Sequence, residues 1–542
     1  MNLDFRNKIQ IKLYRIGVIL IFSVAPFFCI ESLAHKLPLR YEPSTRLNDY
    51  ISLEETQKLY NNIFDLEFND NKISNDKIKT PLHLVVEDFR DMLFILLTED
   101  KETYHQLEQN EEVRLEELEK FKDKKNNYYK EYKWAKAEIK LHHAIIKLSF
   151  DEKWSSAWRV RQAYKLLLEN EEEFPNFIKQ KKSLALLQIV LASVPQKYQW
   201  ALDLIGMDAD LENGIKNLQK ATTQTHFFQK EALLWQSLLQ TYLNEHIIEN
   251  TESSKEIVQS LIKKYPSQKL VLLVSTLVLM KNESHKTALL AWQDYAKTYQ
   301  NNKLVFEKKE HVSLEYLLAE LYFYSEQPKK AKFHFLNFIN KNKLNQSRNF
   351  IKNSYFKLFL IEWFESSDIN IKNKYFDSTL NNGISKTVVD KNARTFVESV
   401  RESNQLPNKI LYQARVLTDG GNYRKALEIF YQITDSELQE WEKEKQFESI
   451  LEYKYRRARI LQKMLQTNEA VSLFKEVIEY STLHNQNEIH YFAANSALKL
   501  GFIYKKSNKK LAKKYFEMAI SFEDHQYEES ITQKAKLALK KL

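Results

Sequence analysis

Three groupings in this 542-residue chain carry side chains whose types and spacing are capable of chemistry. The first is the acidic run Asp208, Asp210 and Glu212 within "LASVPQKYQWALDLIGMDADLENG", which also holds Gly206 and Gly214, two of only seven glycines. A calcium loop uses oxygen ligands at alternate positions, a glycine directly after the third ligand and a glutamate to close it. Here Asn213 separates Glu212 from Gly214, and the closing position is Gln219, so both conditions fail. Asp208 and Asp210 are expected instead as helix N-caps, where a carboxylate accepts from free backbone donors and suits the positive end of the dipole. The second grouping is His142 and His143 with Glu138 one turn earlier. These could place metal ligands on one helical face, but a helix with a partly buried histidine and a nearby carboxylate accounts for them without a metal. The third is basic and aromatic: Arg415, Arg459 and Lys505, with Tyr316 and Tyr455. Its meaning depends on the elements that carry it.

No other grouping qualifies. His484 and His490 are six apart and would not share a helical face, and carboxylate pairs such as Glu171 and Glu173 are as frequent as composition predicts. No phosphate loop, dinucleotide-binding glycine pattern, nucleophile elbow or H-E-x-x-H motif occurs. The sequence therefore leads us to expect no catalytic residue, no metal and no cofactor.

Glycine and proline are too scarce, at seven and nine, for the turns of a sheet-rich fold, so an almost wholly helical chain is expected. With 43% hydrophobic and 28% charged residues it has the composition of a folded protein with a large core. The net charge of +9 is a small excess of 81 basic over 72 acidic side chains, interspersed along the chain. That reads as a solvated mixed surface and not as a nucleic-acid footprint. At the N-terminus, Arg6, Lys8, Lys12 and Arg15 precede the apolar run "IGVILIFSVAPFFCI" and then "ESLA". This is the pattern of a secretory signal with cleavage after Ala34; the run is short for a bilayer span and Pro26 interrupts it. The only cysteine, Cys29, follows bulky residues where lipoprotein processing wants a small one, so a lipid anchor is not expected, and cleavage would leave no thiol. The expected location is a periplasm or envelope, with peripheral envelope association.

Residues 35–50 read as a linker, followed by an N-terminal helical region at 51–245, middle repeats at 246–400 and C-terminal repeats at 401–542. Pro81, Pro175, Pro195, Pro266, Pro328 and Pro407 fall where helices should start or stop. A rhythm recurs: a small residue, a second one twelve residues later, and a large side chain four beyond that. It is carried by Ala319, Ala331 and Phe335; by Ala414, Ala426 and Phe430; by Ala458, Ala470 and Phe474; and, one residue shorter, by Gly501, Ala512 and Phe516. Looser copies are Ala144, Ser156 and Val160, and Thr276, Ala288 and Trp292. Small residues let two antiparallel helices approach, and the large side chain fills the space beside the crossing. Each copy is thus a helical hairpin unable to bury its apolar face alone. Most aromatics, Trp154, Trp158 and Tyr164 among them, are expected in the core between helices.

This rhythm resembles the tetratricopeptide repeat family, which implies hairpins stacked into a right-handed superhelix that binds peptides through the first helix of each hairpin. The family's usual period of about 34 residues is stretched here, since Ala426, Ala470 and Ala512 are 44 and then 42 apart. The segment "KKSLALLQIVLASVPQKYQWALDLIGMDADLENGIKNLQKA" is further similar to the core signature of the tetratricopeptide repeat 39 and inclusion-body clearance family, with Met207 and Ala209 in place of that family's aromatic and glycine. A bacterial, exported relative is the better fit. On the groove-facing helices the alignment places Arg415, Arg459 and Lys505, with Tyr316 and Tyr455 three residues before the small positions, a set suited to an acidic peptide or terminal carboxylate. Local ion pairs of "YRRAR" with Glu452 and Glu469 account for the same arginines without a ligand, and this account is favoured. The expected function is a non-enzymatic exported scaffold or assembly factor that binds polypeptides; the alternative is a surface-associated accessory for carbohydrate or nutrient uptake.

Overall fold

A computed structural model of the chain describes residues 50–68, 77–98, 101–194, 210–243, 252–343, 348–365, 369–484 and 491–542, apart from isolated positions within them. Among the described residues the protein is all-α, with twenty-four α-helices and no strand. The first six are α1 (Leu53–Phe64), α2 (Pro81–Thr98), α3 (Lys101–Leu118), α4 (Tyr129–Ser149), α5 (Lys153–Glu173) and α6 (Ile178–Ala192). Next come α7 (Leu211–Thr223), α8 (Gln229–Tyr242), α9 (Ser254–Lys264), α10 (Lys269–Lys281), α11 (His285–Tyr299), α12 (Val312–Tyr324) and α13 (Pro328–Lys341). They are followed by α14 (Ile351–Glu365), α15 (Ile369–Asn381), α16 (Val388–Ser403), α17 (Lys409–Asp419), α18 (Tyr423–Phe430) and α19 (Asp435–Lys443). The last are α20 (Phe447–Lys463), α21 (Thr467–His484), α22 (Tyr491–Tyr504), α23 (Lys509–Ser521) and α24 (Glu528–Lys540).

Local sequence sets the helix starts. Ser52 with Glu55, Ser253 with Glu256 and Thr434 with Glu437 form reciprocal capping boxes, each satisfying two backbone donors that a helix leaves free. Pro81 and Pro328 stand at the first helical position, where a missing donor costs nothing. Asp210 caps α7 by accepting from the Asn213 backbone N–H at 3.0 Å, as its sequence suggests. Asp208, Gly206 and Pro195 lie outside the described residues, as does Ala34.

The small–twelve–small rhythm has a specific backbone cause. In the hairpins α4–α5, α10–α11, α12–α13, α17–α18 and α20–α21, the first helix ends in the same two-bond turn. In α10–α11, Glu283 N–H donates to the Met280 carbonyl at 3.0 Å and Ser284 N–H to Leu279 at 2.8 Å, a Schellman closure. The pivot residue is left-handed each time: Asp151 (φ 68°), Glu283 (54°), Glu326 (61°), Gly421 (79°) and Leu465 (64°). The first small residue stands seven before each pivot and the second five after, which gives the interval of twelve. Ala319, Ala331, Ala414, Ala426, Ala458 and Ala470 are fully buried at the crossings. Gly501 makes the same contact by another means, since a Cβ there would come within 2.5 Å of the Phe516 ring.

One core runs from Leu59 to Val400, across the boundary drawn from sequence at 245/246. From Leu411 onward it gives way to smaller clusters, each shared by neighbouring hairpins, as expected where every unit packs only on the next. Gly214 earns its place in α7 by helix packing, as its cost in a helix implies: a Cβ would sit 2.9 Å from Ile189 Cγ1. At the far end of the chain α24 returns to the N-terminal half. Gln533 donates to the Ser193 carbonyl, and Leu537 packs on the cluster of Ala185, Ile189, Leu218 and Leu239.

Candidate binding groove

The structure separates the five residues singled out from the repeats. Tyr316 is 2% exposed, stacked on Phe350, and its hydroxyl accepts from Asn353 at 2.7 Å. Tyr455 is 3% exposed and bonded likewise to Asn495 at 2.9 Å. Both rings pack between helices and present no face to a ligand. Lys505 follows the end of α22 in a turn. Arg415 and Arg459, by contrast, are brought together on one carboxylate: Arg459 Nη1 lies 3.1 Å from Asp419 Oδ1, and Arg415 Nε 4.0 Å from Asp419 Oδ2.

The partners of "YRRAR" are only partly local. Arg456 pairs with Glu452 at 2.5 Å within α20, whereas Arg459 reaches Glu283, far away in sequence, and not Glu469. Glu283 is the pivot of the α10–α11 turn, and it also accepts from the Tyr423 hydroxyl at 2.5 Å and pairs with Lys463 at 3.2 Å. Burial of Glu283 favours its neutral form, but Arg459, Lys463 and Tyr423 outweigh it and hold its carboxyl at about 2. Burial likewise opposes the charge of Arg459, and Asp419 and Glu283 more than offset it, so its guanidinium is held above its ordinary value. Three turns converge here. Asn422 donates to the Tyr324 carbonyl at 2.8 Å, a Cβ on Gly420 would lie 2.6 Å from that oxygen, and one on Gly421 would lie 2.0 Å from the Glu283 carbonyl. The "GG" pair is therefore demanded by backbone meeting backbone.

Arg415 is placed differently from Arg459. Its side chain is 41% exposed and its guanidinium lies 5.5 Å from the Tyr412 ring centroid, with Tyr412, Asp419, Tyr491 and Glu452 raising its pKa against the opposing effect of burial. Sequence alignment missed the residue that continues this face. On α22 it is Lys499 that lies near enough to Arg459 and Lys463 to be affected by their charges. The spacing of the small residues gave no signal for it, because Lys499 precedes Gly501 whereas the arginines follow their alanines.

The histidine pair is fully accounted for. Asp88, with no exposed surface, accepts from Arg114 at 2.8 Å and lies 2.9 Å from His142 Nδ1 and 3.2 Å from His143 Nε2. Glu138 lies 3.9 Å from His142 Nε2 and is held by other donors as well, accepting from Trp134 Nε1 at 3.0 Å and Lys182 at 3.2 Å. Burial alone would raise the Asp88 carboxyl, but His143, His142 and Arg114 keep it well below the usual carboxylate range. Among the described residues, no three His, Cys, Asp or Glu side chains are arranged to hold a metal ion, and no helix is long and apolar enough to cross a membrane. Two aromatic expectations are corrected. Trp154 and Trp158 are 47% and 53% exposed, one turn apart on α5, because only the opposite face of that helix, with Ala163, Tyr164 and Leu167, is buried. Neither family models nor curated proteins match this chain.

Proposed function

We propose that the chain is a non-enzymatic helical-repeat protein, exported by an N-terminal signal cleaved after Ala34, that binds other polypeptides in an envelope as a scaffold or assembly factor. In this reading the hairpins stack as in the tetratricopeptide repeat family, in a right-handed superhelix with the first helices inward. The supporting observation is Arg415: an accessible cation beside Tyr412, held only loosely by Asp419, on the first helix of a repeat hairpin. Such a group costs little to desolvate further and offers a planar fork for a carboxylate or backbone carbonyl. The test is crosslinking and affinity capture of the mature chain from its native envelope, with the N-terminus of the recovered protein sequenced. A reproducible protein partner lost on Arg415→Glu supports the proposal; recovery with Met1 intact from the cytoplasm overturns the export half of it.

The exposed Trp154 and Trp158 favour a second reading, a carbohydrate accessory, since indole faces one turn apart on a helix are a surface on which sugar rings can stack. Retardation of the mature chain in polysaccharide-containing gels, abolished by Trp154→Ala with Trp158→Ala and without any protein partner, would establish it in place of the first.

A further inference from the structure

The arginines of the groove are the start of a longer row. Helices α17, α20, α22 and α24 pack side by side, and each supplies cations to one region: Arg415, then Arg459 and Lys463, then Lys499, then Lys534. The α10–α11 turn meets this row where Glu283 pairs with Arg459 and Lys463, and the last residue of α10, Lys281, has its ammonium 5.9 Å from the Tyr242 ring centroid. Helix α24 is held to the N-terminal half by Gln533 on the Ser193 carbonyl, with Lys534 close enough to Lys281 for the two charges to repel. The carboxylates available are Glu283 and Asp419, and both are taken by Arg459 and Lys463. Lys281, Lys499 and Lys534 have no carboxylate partner among the described residues.

We propose, resting on the polypeptide-binding reading above, that Lys281, Lys499 and Lys534 together with Arg459 and Lys463 form a cationic row that binds an acidic polypeptide segment, with carboxylates seated one per helix along it.

The electrostatics agree with that geometry. Burial is the main cause pushing the Lys499 ammonium down to about 8, and repulsion from Arg459, Lys463 and Lys534 adds to it. Lys534 is lowered by burial and by Lys281, and Lys281 by burial against the partial relief of Asp419. Lys281 and Lys534 have exposed side chains all the same, so an anion in solution can reach them. With Arg415 counted, six cations share two carboxylates in this region and repel one another, and an incoming anion relieves that repulsion. A single small anion is too short for the row. Packed helices lie about 8–10 Å apart, and in an extended polyproline II chain every third side chain returns to the same face after about 9 Å. A segment with a glutamate at every third position therefore matches the row.

The test is fluorescence anisotropy of a labelled peptide with glutamate at every third position and glutamine or proline between, titrated with the full mature chain. The expected result is binding that weakens at least tenfold in Lys499→Gln with Lys534→Gln, weakens with rising salt, and falls for the same composition with its glutamates clustered. Lys534→Glu alone, at an exposed position, gives the same direction if the double variant fails to fold. No binding, binding indifferent to these variants, or binding of pyrophosphate with none of the peptide overturns the proposal. The same variants in the envelope crosslinking experiment keep the two readings apart. A native partner retained without peptide binding sinks only the acidic-segment site, and absence of any partner for the wild type sinks the polypeptide-binding reading itself.

Discussion

Replacing Gly421 by alanine isolates the close meeting of the hairpin turns. The left-handed conformation alone does not explain the glycine, because the equivalent pivots Asp151, Glu283, Glu326 and Leu465 adopt it with side chains. For a non-glycine residue that conformation costs about 1–2 kcal/mol, partly offset by about 0.4–1 kcal/mol from stiffening the unfolded chain. The added Cβ, however, would stand 2.0 Å from the Glu283 carbonyl oxygen, whereas ordinary carbon–oxygen contacts begin at about 3.3 Å. The α10–α11 turn must retreat by about 1 Å or more, and overpacking of this kind typically costs about 1–3 kcal/mol. Retreat also stretches the Tyr423 and Lys463 contacts of Glu283, at 2.5 and 3.2 Å, and charged hydrogen bonds contribute about 1.5–3 kcal/mol each. A total near 3–4 kcal/mol follows, equivalent to more than two orders of magnitude in local opening. Hydrogen exchange is the right assay, since a repeat array opens hairpin by hairpin and a single melting temperature would average the effect. The Asn422 amide, bonded to the Leu417 carbonyl at 2.8 Å, should lose protection by that factor. Leu465→Gly, at the same turn position but 86% exposed, should change its own hairpin by less than about 1 kcal/mol. If Gly421→Ala costs no more than Leu465→Gly, the backbone approach is not what keeps glycine there.

Acidification should loosen the same junction in two steps. His285 is held neutral, at about 4, by burial and by Lys357; its unfolded form takes a proton at the ordinary 6.5, so stability is lost as pH falls from about 6.5 to about 4, by on the order of 3 kcal/mol. Glu283, depressed to about 2, contributes stability that is present above about 4.5 and is lost as pH falls from there to about 2, again on the order of 3 kcal/mol, so urea midpoints measured against pH should show both windows and His285→Gln should erase the first. Asp88→Asn leaves Arg114 and two imidazoles around a neutral amide and should destabilise the α2–α3–α4 core by about 3–5 kcal/mol, read from denaturant unfolding followed by Trp134 fluorescence. Gly214→Ala should cost more than the roughly 1 kcal/mol that alanine normally gains in a helix, because its Cβ meets the Ile189 side chain and backbone at 2.9 and 3.2 Å; an increase in thermal stability would contradict that contact.

The helical class and the hairpins were legible because they rest on short-range rules. Scarce glycine and proline, serine and threonine caps with a glutamate three residues on, and the twelve-residue interval each involve neighbours in sequence. The turn that produces the interval was not legible, since its left-handed pivot is an aspartate, two glutamates and a leucine at four of five positions, where glycine would have signalled it. The placement of the five residues taken from the repeat was only partly legible for the same reason. Arg415 and Arg459 follow their alanines by one residue and so could be read from the repeat; Tyr316 and Tyr455, placed by the same count, point between helices, because a three-residue step turns a side chain by most of a full turn and small differences in crossing decide its face. Trp154 and Trp158 were misplaced on composition alone: a large aromatic is usually core, and nothing local to α5 shows which of its faces lacks a neighbour.

Glu283 shows where local reading had to stop. Its sequence setting, "KNESH", is an ordinary polar turn, and its partners Tyr423, Arg459 and Lys463 lie 140 or more residues away. Only the winding of the chain makes it the carboxylate that neutralises two cations of the row, and the same winding leaves Lys281, Lys499 and Lys534 without one. Hairpins are fixed by nearest-neighbour rules, whereas the charge balance around Glu283 is a property of distant hairpins brought together. Neutralising Glu283 should therefore act differently from loss of a lysine in the row: Glu283→Gln removes the tie between α10–α11 and α20 and leaves Arg459 partly buried and half-paired, so it should reduce local protection, whereas Lys534→Gln should leave protection unchanged or raise it by removing repulsion with Lys281. Equal effects of the two substitutions on hydrogen exchange would show that the row is not under electrostatic strain.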